Sequence, residues 1–146
     1  MGQAESAQSA RNIGYNMRGI ISDGKIIANE RSVQIALCKW INLCTDLPVL
    51  HIPNEGKRSK ISGALLKKMG MLRGASDLFI PRATEKYHGL WIELKVGKNQ
   101  ATDSQRAFIE KMKSEGYQAI VCHGLDDAMM AIKKHYNIEK LCLRNI

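Results

Sequence analysis

Trp91-Ile92-Glu93-Leu94-Lys95-Val96 sets a carboxylate and an ammonium two residues apart inside an otherwise apolar run. In a strand, side chains alternate faces, so Glu93 and Lys95 share one face while Ile92, Leu94 and Val96 take the other. A carboxylate in so apolar a strand is costly unless something compensates it. Asp77 heads the preceding apolar run, Leu78-Phe79-Ile80, with 15 residues between it and Glu93. A loop near Thr84–His88 would fold the two strands into a hairpin and bring both carboxylates together. Two carboxylates and a backbone carbonyl, that of Leu94, form a hard all-oxygen site suited to Mg²⁺ or Mn²⁺. Phosphodiester hydrolysis draws on such a site, and Lys95, one strand step further, is placed to orient a water and offset negative charge.

The acid-x-Lys pattern is weak by itself. It occurs at Asp23-Gly24-Lys25, Glu55-Gly56-Lys57 and Glu93-Leu94-Lys95, and the first two fall in glycine-containing turns. Only the third lies in an apolar strand with a second acid on its neighbour. The competing reading of that third triplet is a Glu93/Lys95 salt bridge on a half-exposed sheet.

These residues need a frame, and the hydropathy pattern supplies one. Residues 1–18 are rich in Gln, Ala, Ser and Asn and are expected to be loosely ordered. Ile20-Ile21 and Ile26-Ile27 flank Asp23-Gly24 and predict a hairpin. Val33, Leu37, Trp40, Ile41 and Cys44 recur at spacings of three and four, which predicts a helix from Asn29, its N-cap, to about Thr45. Glu30 and Gln34 project on the side of that stripe and need polar partners; Trp40 belongs to the core. A short strand over Pro48–Ile52 precedes a basic helix at about Lys57–Met69, then strands at Ala75–Pro81 and Gly89–Val96. Thr102-Asp-Ser-Gln105 is a capping box opening a helix that Gly116 ends. A buried strand over Tyr117–Cys122 and a helix over Asp126–Tyr136 follow. Adjacent strands followed by a helical crossover predict an α/β fold with a mixed β-sheet flanked by helices, in one domain over residues 19–146.

Composition bounds what this frame can serve. A 146-residue chain that is 45% hydrophobic builds one ordinary core, and no apolar run approaches the roughly 18 residues of a membrane span. The N-terminus has no apolar leader, so the expected location is cytoplasmic. Cys38, Cys44, Cys122 and Cys142 form no CxxC pair and read as buried reduced thiols; zinc binding with His51, His88, His123 or His135 has no supporting spacing. The net charge of +8 points to a polyanionic partner. Gly56 to Ser76 contains no acidic residue but carries Lys57, Arg58, Lys60, Lys67, Lys68 and Arg73, a candidate phosphate-contacting surface whose alternative is a solvated basic helix face.

Taken in order, these motifs resemble the PD-(D/E)xK nuclease superfamily, with Ser76-Asp77 in place of Pro-Asp, and more narrowly the VRR-Nuc (virus-type replication-repair nuclease) family. The matching residues are Glu30 and Gln34, Pro53-Asn54 with Gly56-Lys57-Arg58, Gly70, Arg73-Gly74-Ala75-Ser76-Asp77-Leu78, Ile92-Glu93-Leu94-Lys95, Gln105, and Gly116-Tyr117. The resemblance implies a restriction-endonuclease-like core and a metal-dependent nuclease acting on structured DNA; small stand-alone members are similar to homodimeric Holliday-junction resolvases. Carried over by position, Asp77 and Glu93 bind metal, Lys95 is catalytic, Glu30 lies near the metal through water, and Gln105 faces the same site. Ser76 implies altered local rigidity rather than lost activity. Residue by residue, the alternatives are Gln105 as a helix cap only, Glu30 as a first-turn acid favoured by the helix dipole, and Asn54 as a turn residue. For the whole chain they are a non-catalytic basic DNA-binding module, or a nuclease of the same fold with flap or other specificity.

Overall fold

The computed structural model describes residues 20–22, 25–53 and 60–139. The Ile-rich segments pair antiparallel as strands β1 (Ile20–Ser22) and β2 (Lys25–Ile27), with Ile20 opposite Ile27. This is the expected hairpin; its Asp23-Gly24 turn lies outside the described residues, as does the segment 1–18.

Helix α1 (Glu30–Cys44) starts at Asn29, whose side chain accepts from the Ser32 N–H while the Ser32 hydroxyl receives the Asn29 N–H, a reciprocal cap. Its apolar stripe is the predicted one: Val33, Leu37, Trp40 and Ile41 are buried, together with Ala36. Cys122 is buried, but Cys38 and Cys44 are only half-buried against the core, less than expected. All three are free thiols; Cys142 lies outside the described residues.

The main sheet has the order β3-β4-β5-β6. Strand β3 (Leu50–His51) pairs antiparallel with β4 (Leu78–Ile80), and β4 antiparallel with β5 (Leu90–Lys95). Strand β6 (Gln118–His123) pairs parallel with β5 after helix α3 (Asp103–Ser114) crosses over. The sheet is therefore mixed, as the spacing of its strands requires. Strands β3 and β4 are shorter than their apolar runs; the backbone before β4 leaves regular pairing at Ser76 and Asp77, where the site begins.

Alternation in β5 divides the molecule. Leu90, Ile92 and Leu94 face α1 and the last helix, α4 (Leu125–Tyr136), in one cluster with Leu37, Ile41, Leu78, Ile80, Leu125 and Ile132. Burying such side chains contributes roughly 1.5–3 kcal/mol each, so this face fixes the register. Trp91 faces α3 on the other side, stacked on Phe79 with ring centroids 4.3 Å apart and meeting Phe108 edge-on at 5.0 Å. Glu93 and Lys95 continue that second face. Helix α2 (Lys60–Lys68) carries the basic segment to the end of the sheet where they emerge.

Candidate active site

The β4–β5 register sets Leu78 opposite Ile92, so one further step places Asp77 opposite Glu93. Asp77 Oδ2 accepts the Leu94 N–H at 2.7 Å, and its main-chain carbonyl accepts the Ile52 N–H at 2.9 Å. The carboxylate thus substitutes for a rung of the ladder just where β4 ends. In an extended strand a residue's N–H and C=O point to the same edge, so the Leu94 carbonyl opens toward the side on which Asp77 stands.

Glu93 is only 1% exposed and Lys95 7%. Lys95 Nζ lies 2.9 Å from Glu93 Oε1 and 3.9 Å from Glu30 Oε1, which reaches in from the first turn of α1. The salt bridge anticipated as an alternative does form, but on a buried face. Gln105 Nε2 donates to the same Glu93 oxygen at 2.5 Å. Its other end accepts the Thr102 N–H at 2.8 Å, while the Gln105 N–H reaches Thr102 Oγ1. Cap and active-site contact are therefore simultaneous. Because the Gln105 oxygen is occupied by a backbone donor, its amide nitrogen must face Glu93.

Burial, and then the nearby Asp77 charge, push the Glu93 carboxyl up to about 7 against the opposing pull of Lys95. Burial works against the Lys95 ammonium, but its hydrogen bond to Glu93 and the surrounding carboxylates outweigh that and raise it. Three carboxylates against one ammonium leave this inner cluster short of positive charge. Glu93 Oε2 is buried and has no hydrogen-bond partner among the described residues. An orphaned carboxylate oxygen beside a second carboxylate is what an all-oxygen divalent-cation site presents, so the donor set fits Mg²⁺ or Mn²⁺. No group of three or more His, Cys, Asp or Glu side chains forms a ready-made metal cluster among the described residues; the fitting set is two carboxylates plus main-chain oxygen.

The cluster lines a cavity of about 370 Å³, whose other walls include Lys67, Arg73, Gly74 and Ser104. Gly74 has φ +80°, and a Cβ there would overlap the Ser104 carbonyl, so glycine lets this loop close onto the start of α3. The basic side chains differ sharply by location. Arg106, Lys111 and Lys113 on α3 pair with Asp103, Glu115 and Glu110 of their own surroundings. Lys67, Lys68 and Arg73 make no ion pair with any described residue.

The family model for the VRR-NUC domain matches residues 21–126. The chain belongs to the VRR-NUC family. A solved structure of a VRR_NUC domain protein is 30% identical, with a TM-score of 0.63, covering 76% of this chain and 90% of that one. No curated protein matches. VRR-NUC is a nuclease-type domain, and the resemblance read from the motifs holds in both family and fold.

Within this VRR-NUC chain, Asp77, Glu93, Lys95, Gln105 and Glu30 meet in one cavity, and Leu94 adjoins it through its backbone. Lys67 and Arg73 line the same cavity; Lys68 is exposed on α2 and does not. Lys60 opens α2, while Asn54, Lys57 and Arg58 lie outside the described residues. Gln34 finds its partner in His51, at 2.7 Å from Nε2 to Nδ1. The sequence named His51 only as a zinc ligand without supporting spacing and Gly74 only within a motif; their contacts here were missed, because nothing local marks a histidine or a glycine as the neighbour of a distant strand or helix.

Proposed function

We propose that this VRR-NUC protein, as a single domain over residues 19–146, is a divalent-metal-dependent, structure-specific DNA endonuclease that hydrolyses phosphodiester bonds in branched DNA, in the manner of a Holliday-junction resolvase. The observation that carries the reading is the buried Glu93 carboxylate. It is held on one oxygen by Lys95 and Gln105, without a described partner on the other, and set across from Asp77 at the wall of a cavity that Lys67 and Arg73 also line. A structural salt bridge alone leaves that second oxygen unexplained.

Asp77 and Glu93, with the Leu94 carbonyl, would hold the cation; Mg²⁺ or Mn²⁺ bound there polarises the phosphate and lowers the pKa of an attacking water. Lys95 keeps its proton and offsets negative charge developing at the phosphate. Gln105 fixes the Glu93 rotamer, so the carboxylate is presented in one orientation. Glu30, on the far side of Lys95, fits a contact through water. Lys57, Arg58, Lys60, Lys67, Lys68 and Arg73 would supply the DNA-facing charge and Asn54 a neutral polar contact, and a homodimer would offer two sites for the two strands of a junction.

The test is cleavage of a synthetic four-way junction beside flap, fork and plain duplex DNA, with Mg²⁺ or Mn²⁺ titrated. Cutting of the junction, lost with EDTA and in Glu93→Ala and Lys95→Ala, is expected. Preferential flap cutting would reassign the substrate. Salt-sensitive binding without cleavage of any substrate would reduce the protein to a binding module, and full activity in Glu93→Ala would overturn the site.

A further inference from the structure

Asp77 is a partition. Its carboxylate lines the catalytic cavity, but its main-chain carbonyl oxygen lies 3.1 Å from His51 Nδ1, on the other side of the strand. His51 belongs to a separate cleft of about 260 Å³, lined by Arg31, Gln34, Ile35 and Pro53 as well. Helix α1 serves both sides through adjacent residues: Glu30 enters the catalytic cavity and Arg31 the second cleft.

Arg31 is the residue there that its own fold does not explain. It stands in the first turn of α1, where the helix dipole disfavours a cation. It is exposed and makes no ion pair with any described residue; neighbouring Glu30 is turned to Lys95. Among the described residues, no carboxylate lines its cleft. The walls offer instead the Gln34 amide bonded to the His51 ring, half-exposed Ile35, and Pro53. A guanidinium in front of a mixed polar and apolar wall has the chemistry to take one nucleotide of a DNA strand: phosphate on the arginine, sugar and base against the wall.

Resting on the nuclease reading, we propose that this cleft is a second nucleic-acid subsite, in which Arg31 holds a backbone phosphate of the strand flanking the cleavage position. The DNA then passes over both sides of Asp77, from Lys67 and Arg73 across the catalytic cavity to Arg31. His51 Nδ1 sets the wall of the subsite beside the main chain that carries the Asp77 carboxylate.

The experiment is binding of a fluorescein-labelled four-way junction, without divalent metal, by anisotropy between about 50 and about 200 mM NaCl. One phosphate contact lowers the slope of log K against log salt by about 0.9. Between those salt concentrations the affinity advantage of wild type over Arg31→Ala should therefore shrink about 3.5-fold. Arg31→Lys should retain the slope, and Arg31→Glu should bind more weakly than Arg31→Ala. In cleavage assays Arg31→Ala should raise KM with kcat preserved. An unchanged slope in Arg31→Ala with a reduced one in Arg73→Ala overturns the subsite and leaves the nuclease reading standing. Unchanged binding in both overturns the subsite together with the DNA path. A normal melting temperature for each variant excludes misfolding as the cause.

Discussion

Glu93 is the residue on which most of the proposed chemistry turns, and its burial has a thermodynamic consequence. Its carboxyl sits near 7 in the folded protein, above the ordinary carboxylate range of about 4.3. Between those values the folded state binds the proton more tightly than the unfolded chain does. The stability this contributes is complete below about pH 4.5 and is lost as pH rises toward 7. Metal-free protein in EDTA should therefore melt at a lower temperature at pH 7.5 than at pH 5.5. Glu93→Gln, neutral at both values, should flatten that difference, and Mg²⁺ or Mn²⁺ should restore melting temperature at pH 7.5 in wild type only. A pH-independent wild type would show that the carboxylate is compensated without a cation. Ser76 makes a second case. Its hydroxyl is wholly buried and has no partner among the described residues, and an unsatisfied buried hydroxyl costs roughly 1–3 kcal/mol. Ser76→Ala should raise stability to chemical denaturation by about 1 kcal/mol while leaving cleavage intact; a loss of stability would mean that the hydroxyl is bonded.

At the level of elements, the start of α3 is where folding and the proposed catalysis share atoms. Thr102 and Gln105 close the helix cap, and the cap orients the amide that holds Glu93. Thr102→Val keeps the shape of the side chain but removes the hydroxyl acceptor. It should cost about 1 kcal/mol as a lost cap and lower kcat more than it raises KM, because a loosened cap shifts the Thr102 N–H that anchors the Gln105 amide. Thr102→Ser should rescue both. A variant that is destabilised yet fully active at saturating substrate would separate cap from site. The helix signals here were legible because capping boxes are local, and so were the β4 and β5 strands because alternation is local. The strand limits were less so: the run from Ala75 reads as strand, but only Leu78–Ile80 pairs, since the Asp77 carboxylate takes the Leu94 N–H that the ladder would have used.

Across the whole molecule, positive charge is sorted. Helix α3 neutralises its own cations with acids three or four positions away, whereas Lys67 and Arg73 at the main cavity and Arg31 at the second cleft make no ion pair with any described residue. DNA should therefore approach over α2 and the N-terminal end of α1, and affinity should fall steeply with salt. The junction reading adds a demand on assembly: sedimentation should give twice the 16.3 kDa chain mass at working concentrations. A strictly monomeric protein would remove the paired cut of two strands and favour single-strand incision.

Read alone, the chain determined its α/β character, the facing carboxylates of Asp77 and Glu93, the shared face of Glu93 and Lys95, and its family. Each of these follows from periodicity, from a hairpin's register or from motifs in order, all carried by short stretches of sequence. Tertiary packing decided the rest. Glu30 reaches Lys95 because α1 docks on β5, Gln105 both caps and contacts because α3 closes on the sheet through Gly74, and Arg31 is left beside His51 by the same docking. Such meetings depend on how elements of distant sequence are angled against one another, and no local pattern encodes that angle.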